Sequence, residues 1–304
     1  FFSTIEFQAF FIDEAQYIKN PNTQISQAVK SINAQYRLAL TGTPIENNLK
    51  DLWNLFDFTM PNYLGTQKEF DDTVRSDNLS YLKQKIKPFV LRREKIDVLD
   101  ALPEKTETII TCPLSPEQEE LYKTVLQATK QGIKTSTGQK QRMHVLTSLL
   151  KLRQICLYPG IIDEFKHLGI PSAKFDFIRD KCKVLIEEGH KVVLFTQFTK
   201  MLDVLDNWCQ SESIYYERID GSVSGKQRQE RVNTFQETSK PGLFLISLKA
   251  GGVGINLTSA DYVIHLDPWW NPAVEQQAID RVHRIGQTLP VTVFKCLVAS
   301  TIEE

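Results

Sequence analysis

The stretch that decides the fold is residues 247–287, SLKAGGVGINLTSADYVIHLDPWWNPAVEQQAIDRVHRIGQ. It continues an apolar run over 243–247 that predicts a strand, and a second predicted strand follows over 262–266. Asn271 and Pro272 are typical of a helix start, and Gly286 is a typical helix stop. The stretch therefore predicts strand, glycine-rich turn, strand and one helix over 271–286, which is the alternation of an open α/β sheet.

Two arginines and a glutamine share one face of this predicted helix. Gln277, Arg281 and Arg284 follow the spacing i, i+4, i+7. Guanidinium groups pair with phosphate oxygens in a fork geometry and offset the charge that develops during phosphoryl transfer. The pattern suits a nucleoside triphosphate, and a solvated basic face is the alternative for this segment alone.

The glycine-rich run over 247–257 follows a predicted strand directly. Glycines at such a position let backbone amides approach a phosphate or a nucleic-acid strand. A tight turn needs glycine as well, so the run by itself leaves both interpretations open.

A pair of acidic residues follows the predicted strand over 7–12, in the sequence Asp13-Glu14-Ala15-Gln16. In P-loop ATPases an acidic residue at such a strand end holds Mg²⁺ through water, and its neighbour polarises the attacking water. A solvated strand end is the alternative interpretation.

A second polar turn comes about 25 residues later, after the predicted strand over 37–40. It reads Thr41-Gly42-Thr43-Pro44, and two hydroxyls beside a glycine can connect the acidic pair to another surface. Because the carboxyl ends of neighbouring strands are where open α/β sheets place their sites, the two turns support each other.

The α/β alternation occurs twice along the chain. The first occurrence ends with a predicted strand over 106–112, and the second resumes at residue 172. Between them, 113–171 shows only helical patterns, beginning with a marked helix start at Ser115. We therefore predict an α/β protein in three parts: 1–112, a helical insert over 113–171, and 172–304.

Composition excludes several classes of protein. The net charge of −1 over 304 residues gives no global basic signature, so any nucleic-acid surface must be local. The five cysteines are scattered without a C-x-x-C pair, which argues against a zinc site or a disulfide framework and fits a reducing compartment. No apolar run approaches the ~18 residues of a membrane span.

No P-loop is found in the sequence. Residues 221–227, GSVSGKQ, resemble one, but the spacing between the glycines is one residue short and Gln227 replaces the required Ser or Thr. The chain opens on Phe1 and closes on TIEE at 301–304, which is typical of an unfinished helix turn. We expect a fragment of a longer protein, with its P-loop upstream.

In order, these segments resemble the SWI/SNF family of helicase-like ATPases, within helicase superfamily two. DEAQ at 13–16 is similar to motif II, LTGTPIENNLKDLWNLFDF at 40–58 to motif III, VVLFTQF at 192–198 to motif IV, and 247–287 to motifs V and VI. The resemblance covers nearly the whole chain, and DPWWNP at 267–272 joined to the two arginines is the most specific part. It implies two RecA-like parallel-sheet lobes, the first incomplete, joined by a helical insert.

The resemblance also implies an activity and residue roles. The family uses ATP and Mg²⁺ to move along double-stranded DNA, usually without separating its strands. Asp13 would bind Mg²⁺, Glu14 would activate water, and Arg281 and Arg284 would be arginine fingers from the second lobe. The implied nucleotide-binding or coupling residues are Gln16, Thr41, Gly42, Thr43, Gly252, Gly254, Asn256 and Gln277. The implied DNA-binding residues are Lys249, Trp269 and Asn271.

Two departures bear on the source of the chain. Gln16 stands where many relatives carry histidine, and the helical insert is short, which favours a bacterial or archaeal protein. We expect a monomeric, nucleoid-associated cytoplasmic motor, or a nuclear one if the source is eukaryotic, that acts on a nucleoprotein or polymerase complex. The alternatives are a non-catalytic DNA- or partner-binding fragment and a superfamily-two RNA helicase.

Overall fold

The computed structural model describes residues 2–42, 49–76, 79–93, 95, 102–251 and 254–304. The chain divides into two compact units, Phe1–Asp100 and Ala101–Glu304. Thr43 and Gly252, which the sequence placed at the site, lie outside the described residues. In the described ranges, no helix combines the length and the apolar character that a membrane crossing requires.

The first unit is built on two parallel strands, as predicted. Strand β1 (Glu6–Ile12) pairs with β2 (Asn33–Ala39), and the register ends with Ile12 opposite Ala39. Among the described residues of this unit, the longer helices are α1 (Gln24–Lys30), α2 (Leu49–Thr59), α3 (Gln67–Arg75) and α4 (Leu79–Ile86).

Helix α2 forms the middle layer of the first unit because both of its apolar faces are buried. Leu55 and Phe58 cluster with the turn that follows β1. Leu52 and Phe56 cluster with buried side chains of α3 and α4. Apolar residues at i, i+3 and i+4 thus give the helix two packing surfaces, and the packing fixes the turn after β1.

The second unit contains a six-stranded, all-parallel sheet in the order β3-β8-β7-β4-β6-β5. Its strands are β3 (Lys105–Cys112), β4 (Lys191–Thr196), β5 (Tyr216–Ile219), β6 (Gly242–Ser247), β7 (Tyr262–His265) and β8 (Val291–Val298). Its helices are α5 (Pro116–Thr135), α6 (Gly138–Leu157), α7 (Ala173–Glu187), α8 (Thr199–Ser211), α9 (Gly225–Glu237), α10 (Leu248–Gly251) and α11 (Pro272–Ile279).

Helices cover both faces of this sheet, since alternate residues of each strand point to opposite sides. Val192 and Leu194 of β4 join one buried cluster with α6, α7 and α8. Val193 and Phe195 join the other cluster with α9 and α11. The predicted α/β class with parallel sheets is confirmed.

The division between the units differs from the predicted boundary at 112/113. Strand β3 pairs along its whole length with β8, so residues 105–112 belong to the second sheet. The helices of the predicted insert also belong to this unit, because Tyr122 and Leu152 join the buried cluster beside the sheet. The two compact units divide at 100/101, and the pairing of β3 with the distant strand β8 places β3 in the second unit.

The prediction of one helix over 271–286 is wrong. Helix α11 ends at Ile279, and successive turns follow, with Arg281 N donating to Ala278 O at 3.1 Å and Gln287 N to Arg284 O at 2.9 Å. The carbonyl oxygen of Arg281 accepts a hydrogen bond from Leu257 N at 2.9 Å. A continuing helix would offer this carbonyl to its own next turn, so Arg281 and Arg284 do not share a helix face.

Candidate functional site

The two polar turns of the first unit lie side by side because backbone hydrogen bonds extend the strand pair beyond its last register position. Leu40 N donates to Ile12 O at 2.8 Å, and Ala15 N donates to Leu40 O at 2.9 Å. The turn that carries the acidic pair is thereby held against the turn that begins at Thr41.

A chain of side-chain hydrogen bonds connects these turns. Gln16 Nε2 donates to Glu14 Oε2 at 2.6 Å, and Thr41 Oγ1 donates to Gln16 Oε1 at 2.8 Å. The amide of Gln16 is therefore the bridge between the acidic pair and the next strand end. Sequence reasoning predicted a connection here, and the structure shows which atoms make it.

The backbone of Glu14 adopts the left-handed conformation, with φ 50° and ψ 48°. A side chain other than glycine in this region costs about 1–3 kcal/mol, and such strain clusters at functional sites. Asp13 Oδ1 accepts a hydrogen bond from Glu14 N at 2.8 Å, and the Asp13 side chain is exposed. The turn thus orients two adjacent carboxylates.

The donor set fits a magnesium ion that keeps most of its water. Mg²⁺ is commonly held in phosphate-transfer sites through one or two carboxylates plus the substrate phosphates. Within the described part of the chain, no group of three or more His, Cys, Asp or Glu side chains could form a protein cage for a metal. Exposed Asp13 with one orienting hydrogen bond is compatible with such a water-rich site.

In the second unit, Asp267 is the centre of a buried polar network just beyond the end of β7. Its side chain is fully buried and accepts hydrogen bonds from Thr196 Oγ1 at 2.6 Å and Gln197 N at 3.2 Å, and from Gln197 Nε2. Burial raises the pKa of this carboxyl, and the hydrogen bonds from Thr196 and Gln197 oppose that rise. The network ties the ends of β4 and β7 together.

Arg153 of α6 completes this network from a distant part of the chain. Its buried guanidinium lies 3.7 Å from Asp267 Oδ2, donates to Pro268 O, and lies over the Trp270 ring at 4.9 Å from the centroid. Burial lowers the pKa of Arg153, and Asp267 raises it. Sequence reasoning missed Arg153 because its hydrogen bond to Pro268 spans 115 positions and leaves no local pattern.

The loop over 267–271 is held from its other side by α11. Glu275 Oε1 accepts a hydrogen bond from Trp269 N at 2.6 Å, and Asn271 Oδ1 accepts one from Ala273 N at 3.1 Å. Burial raises the pKa of Glu275, and the hydrogen bond from Trp269 opposes that rise. The loop is thus fixed at both ends, which presents its side chains in one arrangement.

The predicted DNA-binding residues differ in how accessible they are. Lys249 is exposed on α10, whereas the side-chain oxygen of Asn271 caps α11. Trp269 packs partly against the core, and the neighbouring Trp270, which the sequence analysis did not select, is 61% exposed.

The glycine-rich run is shaped by close packing as well as by backbone conformation. A Cβ at Gly251 would lie 3.0 Å from the ring of Phe195, and Gly254 has φ +60°. Asn256 is exposed, and the hydrogen bond from Leu257 N to Arg281 O joins this run to the arginine turn.

The structure therefore brings the predicted residues together in two groups, one in each unit. The first contains the acidic pair, the bridging amide and the turn at 41–42, in which Gly42 is exposed. The second contains the glycine-rich run, Gln277 on α11, and the turn after α11 that carries Arg281 and Arg284. These three side chains are each half-buried.

Comparison with known families covers both groups. The SNF2-related domain matches residues 1–161, and the helicase conserved C-terminal domain matches residues 173–286. The chain belongs to the SWI2/SNF2 family. The resemblance seen in the sequence motifs is thereby confirmed, with the SNF2-related domain followed by the helicase conserved C-terminal domain.

SWI2/SNF2 relatives from bacteria and animals match nearly the whole chain. It is 42% identical over 301 residues to an uncharacterized ATP-dependent helicase of Mycoplasma pneumoniae, which covers 96% of the chain and 28% of that protein. It is 36% identical over 320 residues to the SWI/SNF-related matrix-associated actin-dependent regulator of chromatin subfamily A member 1 of Homo sapiens, covering 100% of the chain and 31% of that protein. The chain thus spans under a third of the length of these relatives.

A solved SWI2/SNF2 structure has the same fold over nearly the whole chain. The Sulfolobus solfataricus SWI2/SNF2 ATPase core in complex with dsDNA is 37% identical, with a TM-score of 0.58, and the match covers 99% of this chain and 66% of that one.

Proposed function

We propose that this chain is part of a DNA-dependent ATPase that couples ATP hydrolysis to movement along double-stranded DNA. The proposal rests on family membership and on one observation, the hydrogen-bonded path Glu14–Gln16–Thr41. This path connects the acidic turn to the next strand end, so a change at the reacting phosphate can alter the conformation of the turn at 41–42. Because the chain spans under a third of its relatives, the complete activity belongs to the longer protein.

Each acidic residue has a separate role in the proposed reaction. Asp13 holds Mg²⁺ through water, and Glu14 orients the attacking water and accepts its proton. Gln16 holds the Glu14 carboxylate through the 2.6 Å hydrogen bond, which limits the orientations of that base. When bound, Mg²⁺ neutralises charge on the phosphate oxygens.

Arg281 and Arg284 contribute positive charge at the phosphates in this proposal. A guanidinium is always protonated and offers forked donors, so it can offset the negative charge of the transition state. The hydrogen bond from Leu257 N to Arg281 O joins the arginine turn to the glycine-rich run, so a shift of one would be passed to the other. The other residues proposed to bind the nucleotide or couple to it are Gly42, Thr43, Gly252, Gly254, Asn256 and Gln277. Thr43 and Gly252 among them lie outside the described residues.

The second unit supplies contacts to DNA in the proposed protein. Lys249, Trp269 and Asn271 lie on or beside the loops at the carboxyl ends of β6 and β7, with Trp270 exposed next to them. Contacts with phosphates are independent of sequence, and their strength falls steeply with salt. We propose a monomeric cytoplasmic, nucleoid-associated motor, or a nuclear one in a eukaryote, whose target is a nucleoprotein or polymerase complex.

The experiment that tests this function measures ATP hydrolysis by the longer protein that contains this chain, with and without duplex DNA. Duplex DNA should raise the rate of the unmodified protein. Glu14→Gln should lower turnover by about 10²–10⁴-fold, and Arg284→Ala by about 10³-fold or more. Glu237→Gln and Arg75→Ala, which change exposed residues of the same types, are the matched controls.

Three outcomes would contradict the proposal. Absence of stimulation by duplex DNA would favour a binding module without catalysis. Stronger stimulation by single-stranded RNA than by duplex DNA would favour an RNA helicase of superfamily two. Unchanged turnover in either active-site variant would remove the role given to that residue.

A further inference from the structure

Acidic residues are absent from one long segment of the second unit. Residues 121–162 contain no Asp or Glu, although the chain average of 37 in 304 would give about five in 42 positions. The same segment contains seven lysines and arginines, namely Lys123, Lys130, Lys134, Lys140, Arg142, Lys151 and Arg153. A chain with a net charge of −1 thus concentrates positive charge in one place.

The positive charge is uncompensated at the tip of a helical hairpin. Helices α5 and α6 are joined by only two residues, 136–137, so they pack as an antiparallel pair. Near the base, Lys123 pairs with Glu119 and Lys151 pairs with Glu164, each at 2.5 Å. At the tip, four exposed basic side chains have no ion pair within the described residues: Lys130, Lys134, Lys140 and Arg142.

Close packing and local hydrogen bonds hold the tip in place. A Cβ at Gly132 would lie 2.2 Å from His144 Nε2, so a larger residue there would displace the His144 ring that packs against α5. Gln141 Nε2 donates to Ile133 O at 3.0 Å, and Ser136 Oγ donates to Gly132 O at 2.7 Å. The tip is therefore a preorganised surface, and binding to it would order little additional chain.

Helix α6 connects this tip to the loop that carries the aromatic residues. Arg142 lies at the tip, and Arg153, eleven residues later, contacts Pro268 and Trp270. At 1.5 Å per residue these two arginines are about 16 Å apart along the helix axis. One turn of duplex DNA spans about 34 Å. A duplex that passes the loop over 267–271 parallel to α6 would therefore reach the level of Arg142 within about half a turn.

We propose that the tip of the α5–α6 hairpin is a second contact for the sugar-phosphate backbone of DNA. The proposal rests on the proposed function, because it adds an anchoring contact to the same duplex. Exposed lysines and an arginine without acidic neighbours match a polyanion, and they carry no means of reading sequence. Exposed Leu146 and Leu150 on α6 would suit a protein partner, but they lie along the helix shaft, whereas Met143 lies beside Arg142 at the tip.

The test compares two triple variants of the longer protein that contains this chain. The hairpin variant is Lys134→Gln, Lys140→Gln and Arg142→Gln. The control variant is Lys166→Gln, Lys183→Gln and Lys240→Gln, which makes the same change in charge elsewhere in the second unit. Affinity for duplex DNA of random sequence is measured by fluorescence anisotropy over a range of KCl concentrations.

At 0.1 M salt the hairpin variant should bind duplex DNA about tenfold or more weakly. Its plot of log binding constant against log salt concentration should have a slope shallower by about 2–3, because each lost phosphate contact removes about 0.9 from that slope. The control should keep the original slope, and both variants should keep the ATPase rate measured without DNA. Equal slopes in the two variants would overturn the proposal. This is also the result expected if the tip binds a protein instead of DNA. If the two variants have equal slopes but duplex DNA still stimulates the ATPase of the unmodified protein, only the hairpin proposal fails. If duplex DNA does not stimulate that ATPase, the proposed function fails as well.

Discussion

Replacing Lys174 with methionine should strongly destabilise the second unit, because the change removes the partner of a buried carboxylate. Lys174, at the start of α7, is fully buried, and its Nζ lies 2.5 Å from the buried Oε2 of Glu303. The same ammonium group donates to Leu266 O and Cys296 O, each at 3.2 Å. One side chain therefore joins the end of β7, strand β8 and the final turn of the chain.

The expected loss at pH 8 is about 3–5 kcal/mol, the usual cost of removing one partner of a buried ion pair. Burial raises the pKa of Glu303, and Lys174 lowers it, so the substitution raises this pKa further. A carboxyl whose pKa is higher in the folded than in the unfolded state does not lower the free energy of unfolding at pH values below its unfolded-state pKa. As the pH rises from the unfolded-state pKa to the folded-state pKa, the free energy of unfolding falls progressively. The loss should therefore be smaller near pH 5 than near pH 8, with a slope of at most about 1.4 kcal/mol per pH unit.

Urea unfolding followed by tryptophan fluorescence measures this loss. In a Trp53→Phe background the remaining tryptophans, Trp208, Trp269 and Trp270, all report on the second unit. The double variant Lys174→Met/Glu303→Leu should recover most of the stability, because apolar replacement of a whole buried pair is often neutral.

The matched control is Lys183→Met on the same helix, whose partner Glu212 is exposed. This variant should lie within about 1 kcal/mol of the unmodified chain. A single Lys174 variant that loses less than about 1 kcal/mol, or loses the same amount at pH 5 and pH 8, would refute the reasoning.

Two further predictions concern the helical hairpin. Arg153→Met should cost about 3–5 kcal/mol in urea unfolding, because it removes the ion-pair partner of buried Asp267. It should also shift the fluorescence of Trp270, whose ring the guanidinium covers. A loss below about 1 kcal/mol would contradict the buried network. Ser115→Ala should cost about 1 kcal/mol by removing the capping box of α5. The control is Thr137→Ala, because Thr137 is at the N-cap position of α6 but its side chain makes no capping hydrogen bond. If both variants lost the same free energy of unfolding, the stabilising role of the Ser115 cap would be contradicted.

Several local features could be predicted from the sequence because their causes are short-range. The apolar run over 7–12 indicated β1, and the Ser115-Pro116-Gln118 pattern indicated the start of α5. The polar turn at Thr41 was expected to connect to the acidic pair, and the structure makes that connection through Gln16. Motif order was also sufficient to indicate the family, which the comparisons confirmed.

Tertiary contacts decided the features whose causes lie far apart in the chain. Strand β3 belongs to the second sheet because its hydrogen-bond partner is β8. Beyond the end of α11, the Arg281 carbonyl accepts a hydrogen bond from Leu257 N, a residue 24 positions earlier. Arg153 became part of the site only when α6 was packed beside the loop at Asp267. Periodicity and capping act within a few residues and are therefore written in the sequence, whereas pairing and burial join distant segments and exist only in the folded chain.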